Sequence, residues 1–239
     1  EYHVDGFVVN PYNVPWDSLN ADPILKGAKI FKKEEGFQNS MRRFLKGDEG
    51  MVREVIRQLC RRTPEDGCCN YITSHTGFTL CDLVSYDGKH NEANGERNQD
   101  GPDYNYSWNC GTEGPSRKRS VMTLRKNQMK NAFLLLLLSQ GTPCILAGDE
   151  FGNTQDGNNN VYCQDNETAW LNWGRQKSYE DLFRFVKRLI ALRKSNPVFQ
   201  QRLSNYNTKK QQQMPINDVS YLPRLKLRFR IAISINKNE

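Results

Sequence analysis

Histidine is scarce in this chain, with only His3, His75 and His90 among 239 residues, and none of its cysteines shows a Cys-x-x-Cys spacing. Structural metal centres need several such ligands at short fixed intervals, so the composition argues against a metal, and no cofactor is expected. The seven cysteines, Cys60, Cys68, Cys69, Cys81, Cys110, Cys144 and Cys163, are odd in number. That favours free thiols in a reducing cytoplasm over a disulfide framework. Long apolar runs are also missing. The longest, Ala132 to Leu138, falls far short of the ~20 residues that span a bilayer, so no membrane partner is expected. A signal-peptide pattern is absent too, although the chain starts at Glu1 inside a motif and reads as a piece of something longer.

Charge is unevenly placed. Of the net +7, the stretch from Gln200 onward carries +6 and residues 1–199 carry +1. The basicity is therefore a property of the tail, without the aromatic-rich motifs that accompany nucleic-acid recognition, and nucleic acid is not an expected partner.

Periodicity organises the rest. Short strands are expected at Tyr2 to Val9, Ala28 to Phe31, Asn70 to Ser74 and Pro143 to Ala147. Helices are expected at Phe37 to Leu45, Met51 to Cys60, Ser120 to Ser139 and Ser178 to Lys194. Alternation of strand and helix indicates an α/β domain built on a parallel sheet. The helix from Ser120 becomes apolar on every side through Leu134 to Leu138, which is the signature of a buried helix; Gly141 and Pro143 then stop it and open the next strand. Two stretches rich in Asn, Gly and Asp, Lys89 to Gly114 and Gly148 to Glu167, exceed the roughly 12 to 15 residues at which structureless loops become uncommon without a function.

Three motifs carry chemistry. Tyr2 to Asn10 reads YHVDGFVVN, Asp22 to Gly36 reads DPILKGAKIFKKEEG, and Tyr71 to Leu83 reads YITSHTGFTLCDL. They resemble segments of glycogen debranching enzymes of the isoamylase type, in the α-amylase superfamily of glycoside hydrolases. There the first ends R-F-D, the second runs D-P-x-L-x-x-x-K-I-I-A-E-A-W-D, and the third contains S-H-D-G-F. The resemblance covers residues 1 to about 199 and implies the C-terminal part of a TIM (β/α)8 barrel, strands four to eight with their helices. Residues 200–239 are then a basic tail or the start of a following β region. Within it, Leu225 to Ile235 alternates apolar and polar residues as a half-buried strand does, and a frameshifted stretch would read the same way.

The resemblance places Asn10 on the nucleophile, Lys33 on the general acid and Thr76 on the stabilising aspartate, so no catalytic residue of the family is retained. Val8 replaces the arginine two residues before the nucleophile. A retaining glycosidase needs one carboxylate to attack the anomeric carbon and a carboxylic acid about 5 Å away to protonate the leaving oxygen. An amide is a very poor nucleophile, and a lysine with an ordinary pKa near 10.4 is a poor substitute for a tuned glutamic acid. Glu34 is the one rescue candidate, but strand alternation turns it away from the direction of Lys33.

Candidate substrate-binding residues follow from the same resemblance. His75 matches a histidine that hydrogen-bonds sugar hydroxyls. His90 and Asp149 lie in the long loops, and Trp108, Tyr162 and Trp170 offer rings for stacking on glucose, though core packing accounts for these rings equally well. Asp149 and Glu150 are adjacent and face opposite ways, which argues against a replacement catalytic pair, and Asp5 is expected to hold a strand end. The implied partner is α-glucan, glycogen or starch with α-1,6 branches, bound by a catalytically inactive hydrolase. The alternatives are a non-catalytic glucan-binding subunit of an active debranching paralogue, an active hydrolase using Glu34, and a decaying gene product.

Overall fold

The computed structural model describes residues 6–9, 29–61 and 68–200, with the side chains of 6, 7, 9, 29, 30 and 200 excepted. Four strands make one sheet: β1 (Gly6–Val9), β2 (Lys29–Lys33), β3 (Cys68–Asn70) and β4 (Thr142–Pro143). All are parallel and lie in sequence order, β1-β2-β3-β4, with Val8 opposite Phe31, Lys33 opposite Cys69 and Asn70 opposite Pro143. Parallel neighbours in sequence order belong to a singly wound sheet, whereas a doubly wound sheet reverses its order at a switch point. The α/β class with a parallel sheet is thus what the alternation of elements predicts.

The helices lie near their expected positions. They are α1 (Glu35–Lys46), α2 (Val52–Leu59), the short α3 (Leu80–Leu83), α4 (Arg119–Leu137), α5 (Arg175–Ser178) and α6 (Glu180–Ser195). Helix α1 carries Glu35 in its first turn and Arg43 and Lys46 in its last, matching the helix dipole. It stops at Gly47, whose φ of 100° lets its N–H reach the carbonyls of Arg43 and Phe44. Buried positions on α4, Met129, Ala132, Phe133, Leu136 and Leu137, recur at the spacing of one helical face. They meet Phe37 and Met41 of α1 and Leu182, Val186 and Leu189 of α6 in a single apolar cluster.

Two strands are shorter than periodicity suggests. Beyond Asn70 the ladder of β3 gives out because the Ile72 carbonyl accepts from Arg42 Nε at 2.7 Å and Gln38 Nε2 at 3.2 Å, side chains of α1, in place of a neighbouring strand. After Pro143, one further bond, Cys144 N–H to Asn70 O at 2.7 Å, ends the pairing of β4 short of the expected Ala147, and Asp149–Phe151 forms a 3-10 turn at the start of the second long loop.

Buried arginines hold the connections. Arg42, Arg125 and Arg193 sit on α1, α4 and α6 and are almost wholly enclosed. Arg125 donates to the carbonyls of Gly114, Asn109 and Thr112, and Arg193 to those of Leu137, Ser139, Gly141 and Phe199. Each fork thereby satisfies several carbonyls that no helix or ladder reaches, the condition for burying either the charge or the loop. Burial pushes the Arg42 guanidinium down to about 10, which leaves it charged at neutral pH.

The chain clusters into two units, residues 1–203 and 204–239, and the alternating pattern at Leu225 to Ile235 lies outside the described residues. No helix among the described residues is long and apolar enough to cross a membrane.

The outermost strands, β1 and β4, each have one neighbour among the described residues, and Val8 is exposed. Open edges of a parallel sheet leave donors, acceptors and an apolar face unsatisfied. The isolated 239-residue chain is therefore expected not to unfold as a monomer in one cooperative transition. Chemical denaturation followed by fluorescence and circular dichroism checks this, and coincident sigmoidal curves from a monodisperse monomer would contradict it.

Candidate functional site

Strand alternation sorts the side chains of β2, β3 and the end of β4 onto two faces. On one, Lys33 lies opposite Cys69, Tyr71 follows two residues on, and Lys33 Nζ sits 5.3 Å from the centre of the Tyr71 ring. On the other, Asn70 ties the sheet to the end of α4 through Ser139 Oγ at 3.0 Å and the Gln140 carbonyl at 2.6 Å. The first face is the one that carries Lys33, the residue that the resemblance places on the general acid.

Glu34 takes a different direction from Lys33. Its carboxylate accepts from both Arg61 terminal nitrogens, at 2.6 and 2.8 Å, and its N–H reaches the Cys69 carbonyl at 3.0 Å. Burial raises this carboxyl, but hydrogen bonds from Arg61 and Cys68 and the guanidinium charge outweigh it, so Glu34 is held below its ordinary value.

The segment after β3 presents His75 and Thr76 to solvent. It is anchored on both sides. Before it, the Thr73 hydroxyl donates to Asp149; after it, the Gly77 N–H reaches the Asn159 carbonyl at 2.9 Å, and Phe78 is fully buried. Gly77 has φ 96°, a conformation that favours glycine and turns the chain back into the core. Thr76 offers a hydroxyl 3.3 Å from Ser74 Oγ and no charge. Asn10 and Asp5 lie outside the described residues.

Both long loops are fastened to each other. Asn91 and Asn159, each enclosed, exchange two bonds: Asn159 N–H to Asn91 Oδ1 and Asn91 Nδ2 to Asn159 Oδ1, both 2.9 Å. Around them Asn94 Nδ2 donates to Asp100 Oδ2 at 2.7 Å and to the Asn160 carbonyl at 2.8 Å, and Asn158 Nδ2 returns to Asn94 Oδ1 at 2.8 Å. Gly101, with φ 69°, packs against Asn159 Oδ1 so closely that no side chain fits there. Sequence reading passed over this network. Its signal was present in the run Asn158–Asn160 and the pair Asn91 and Asn94, since a buried amide both donates and accepts and can close such a clasp.

His90 belongs to the same scaffold. Its Nε2 lies 3.2 Å from Glu113 Oε1, its ring packs edge-on to Tyr86 at 5.3 Å, and its N–H bonds the Gly157 carbonyl at 2.8 Å. Glu113 also accepts from the backbone of Asp87 and from Asn109, so it braces the base of the loop. Among the aromatic candidates, Trp108 packs against the core cluster, and Tyr162 and Trp170 show their rings to solvent. Tyr162 donates to Glu96 at 3.2 Å and Trp170 Nε1 to Asp165 at 3.1 Å, which fixes both rings. No group of three or more metal-ligating side chains is gathered among the described residues.

No family model matches the chain. It is 38% identical over 245 aligned positions to the glycogen operon protein GlgX homolog of Mycobacterium tuberculosis, covering 84% of this chain and 34% of that protein. It is 40% identical over 208 positions to the chloroplastic isoamylase 1 of Arabidopsis thaliana, covering 74% and 26%. Among solved structures, pullulanase from Bacillus acidopullulyticus superposes with a TM-score of 0.62 at 19% identity, covering 84% of this chain and 27% of that one. The pullulanase of Paenibacillus barengoltzii, in complex with maltohexaose and α-cyclodextrin, gives 0.59 at 20% identity, covering 84% and 35%. The likeness in structure concerns the fold alone, and the chain spans about a third or less of the length of these proteins.

Two enclosed aspartates act as struts. Asp149 accepts from Thr73 and from the Leu80 N–H at 2.8 Å, and Asp82 from Thr79 at 2.8 Å, Thr154 and the Gln155 N–H at 2.8 Å. Burial raises both carboxyls, Asp149 to about 7 and Asp82 to about 6, above the ordinary unfolded value near 3.9. A raised folded-state pKa means the native protein holds more protons than the unfolded chain between those values. The resulting stability is fully present below about pH 4 and is lost as pH rises through about 6 to 7, with a limiting slope of about 1.4 kcal/mol per pH unit for each carboxyl. Asp149→Asn is expected to flatten this dependence between pH 4 and 7, read from denaturation midpoints of the intact protein across that range. An unchanged slope would show that Asp149 is ionised throughout.

Proposed function

We propose that this chain, which belongs to the isoamylase type of the α-amylase superfamily of glycoside hydrolases, forms part of a debranching-type barrel that holds α-glucan without cleaving it. In this reading β1 to β4 carry the motifs of barrel strands four, five, seven and eight, with β2 paired directly to β3 and no strand between them where the expected strand six would stand, and residues 200–239 begin a further region. The sheet in sequence order supports it, since cleft loops in such barrels follow the C-terminal ends of the strands.

The observation that carries the proposal is Lys33. Its ammonium lies over the Tyr71 ring, on the face where the reaction needs an acid near neutral pH, and a cation there also opposes the oxocarbenium-like transition state. Glu34 does not replace it. Engaged by both nitrogens of Arg61 and held below its ordinary value, it is ionised at neutral pH and has no proton to donate. Asn10 and Thr76 supply neither a nucleophile nor a second charge.

Binding asks for less. Hydrogen bonds and ring stacking hold a sugar without catalytic carboxylates, and exposed His75, Tyr162 and Trp170 are available for both. The pullulanase fold neighbour carries maltohexaose, an α-glucan, in its own structure. All seven cysteines are free, which supports placing the protein in a reducing compartment such as the cytoplasm.

The intact protein is expected to release no measurable linear chains from glycogen, and Asn10→Asp alone is expected to restore none, because the acid is still missing. A reducing-end assay checks both, and turnover near that of an active isoamylase would refute the proposal. Isothermal titration with maltooligosaccharides is expected to show weak binding at millimolar ligand that His75→Ala reduces. Silence in both experiments would leave a protein-binding role, in partnership with an active debranching paralogue, as the better account.

A further inference from the structure

Arg42, on α1, is enclosed and lines a cavity. Its Nε donates to the Ile72 carbonyl at 2.7 Å and its Nη1 to the Asn105 carbonyl at 3.2 Å. Nη2 is buried with them and has no acceptor among the described residues. The cavity measures about 10 Å³, room for one water-sized species. Its walls include Arg42 and Lys46 of α1, Leu83 and Val84, and Tyr106 and Trp108 of the first long loop, and no carboxylate lines it.

A buried guanidinium needs a counter-charge and an acceptor for each of its nitrogens. Arg42 has neither in full. Its two bonded carbonyls are neutral, and Asp149, which acts on it from a distance, is pushed up to about 7 by its own burial and is only partly ionised at neutral pH. Lys46 lies 3.5 Å from Asp48, but that carboxylate is shared with Arg43, which it meets at 2.9 Å. Two cations therefore line one small cavity without a carboxylate in its wall. A water molecule there would accept from Nη2 and leave the charge uncompensated. An anion little larger than water would do both.

We propose that this cavity is a binding site for one small monovalent anion of chloride size, with Arg42 Nη2 as the donor and Lys46 as the second cation. Phosphate, sulfate and carboxylates carry several heavy atoms and overfill a space of this volume. The anion would brace two segments through the same fork. Ile72 leads into the loop that displays His75, and Asn105 accepts on its Oδ1 from Asn159 Nδ2 at 3.1 Å, inside the clasp of the two long loops. Binding would thus stabilise the folded protein whether or not glucan is present. This inference is independent of glucan binding.

The test is denaturation of the intact protein at constant ionic strength and pH 7, with sodium isethionate, whose anion is too large for the cavity, replaced stepwise by sodium chloride. The midpoint is expected to rise with the logarithm of chloride concentration once the site begins to fill, and bromide is expected to substitute for chloride. Lys46→Gln is expected to weaken the apparent chloride affinity about twofold to fivefold, and Arg42→Gln to abolish the response. Crystals soaked in bromide are expected to show an anomalous peak beside Arg42 Nη2. A midpoint indifferent to the exchange, a cavity that holds only water in bromide-soaked crystals, or a chloride response unchanged in both variants would overturn the proposal. If Arg42→Gln fails to fold, Lys46→Gln and the bromide peak in the wild-type protein decide the matter.

Discussion

The reciprocal amide clasp between Asn91 and Asn159 is the interaction on which the arrangement of this molecule's functional surface depends. Two loops with little regular structure come together, and a loop that is buried must find partners for every N–H and C=O it removes from water. Asparagine meets that need because its side chain carries the same donor and acceptor as a peptide group. The clasp joins the loops at their enclosed centre, Asn94, Asn158 and Asn160 extend it, and the Gly77 turn hangs from the Asn159 carbonyl. His75 and Thr76 are therefore displayed by a loop that is fixed by residues more than 80 positions away.

Buried ionisable side chains complete the frame. Arg125 and Arg193 gather loop carbonyls, and Asp149 and Asp82 gather hydroxyls and N–H groups from segments that would otherwise end without partners. Acidic groups in this chain are thus spent on holding loops. The carboxylate that follows Lys33 in the chain, Glu34, is likewise committed, to Arg61. At Lys33 the sheet presents a cation over the Tyr71 ring.

Much of this molecule is legible in its sequence. Strand and helix periodicity locates β1 to β4 and the four longer helices to within a few residues, because a 2-residue or 3.6-residue repeat of apolar side chains is a local property. The three motifs, too, identify the family from a few residues each. They place Asn10, Lys33 and Thr76 on family positions, although Asn10 itself lies outside the described residues. Even the different directions of Lys33 and Glu34 follow from pleating alone.

Tertiary structure decided the rest. Trp108, a stacking candidate by sequence, packs against the core, whereas Tyr162 and Trp170 face solvent; nothing in their neighbours along the chain distinguishes them. Asp149, a cleft-lining candidate, is an enclosed strut on Thr73 and Leu80. Strand β3 is shorter than its apolar run because Arg42 and Gln38, from a helix some 30 residues earlier, take the carbonyl that the ladder would have used. Cys69 lies between Lys33 and Thr142 only because parallel pairing sets three distant segments side by side. The sequence determined which elements form and which chemistry each residue can perform, since both are properties of a side chain and its near neighbours. Which of those residues share a site was decided by register and loop closure, which depend on contacts between distant segments and leave no periodic trace in the chain.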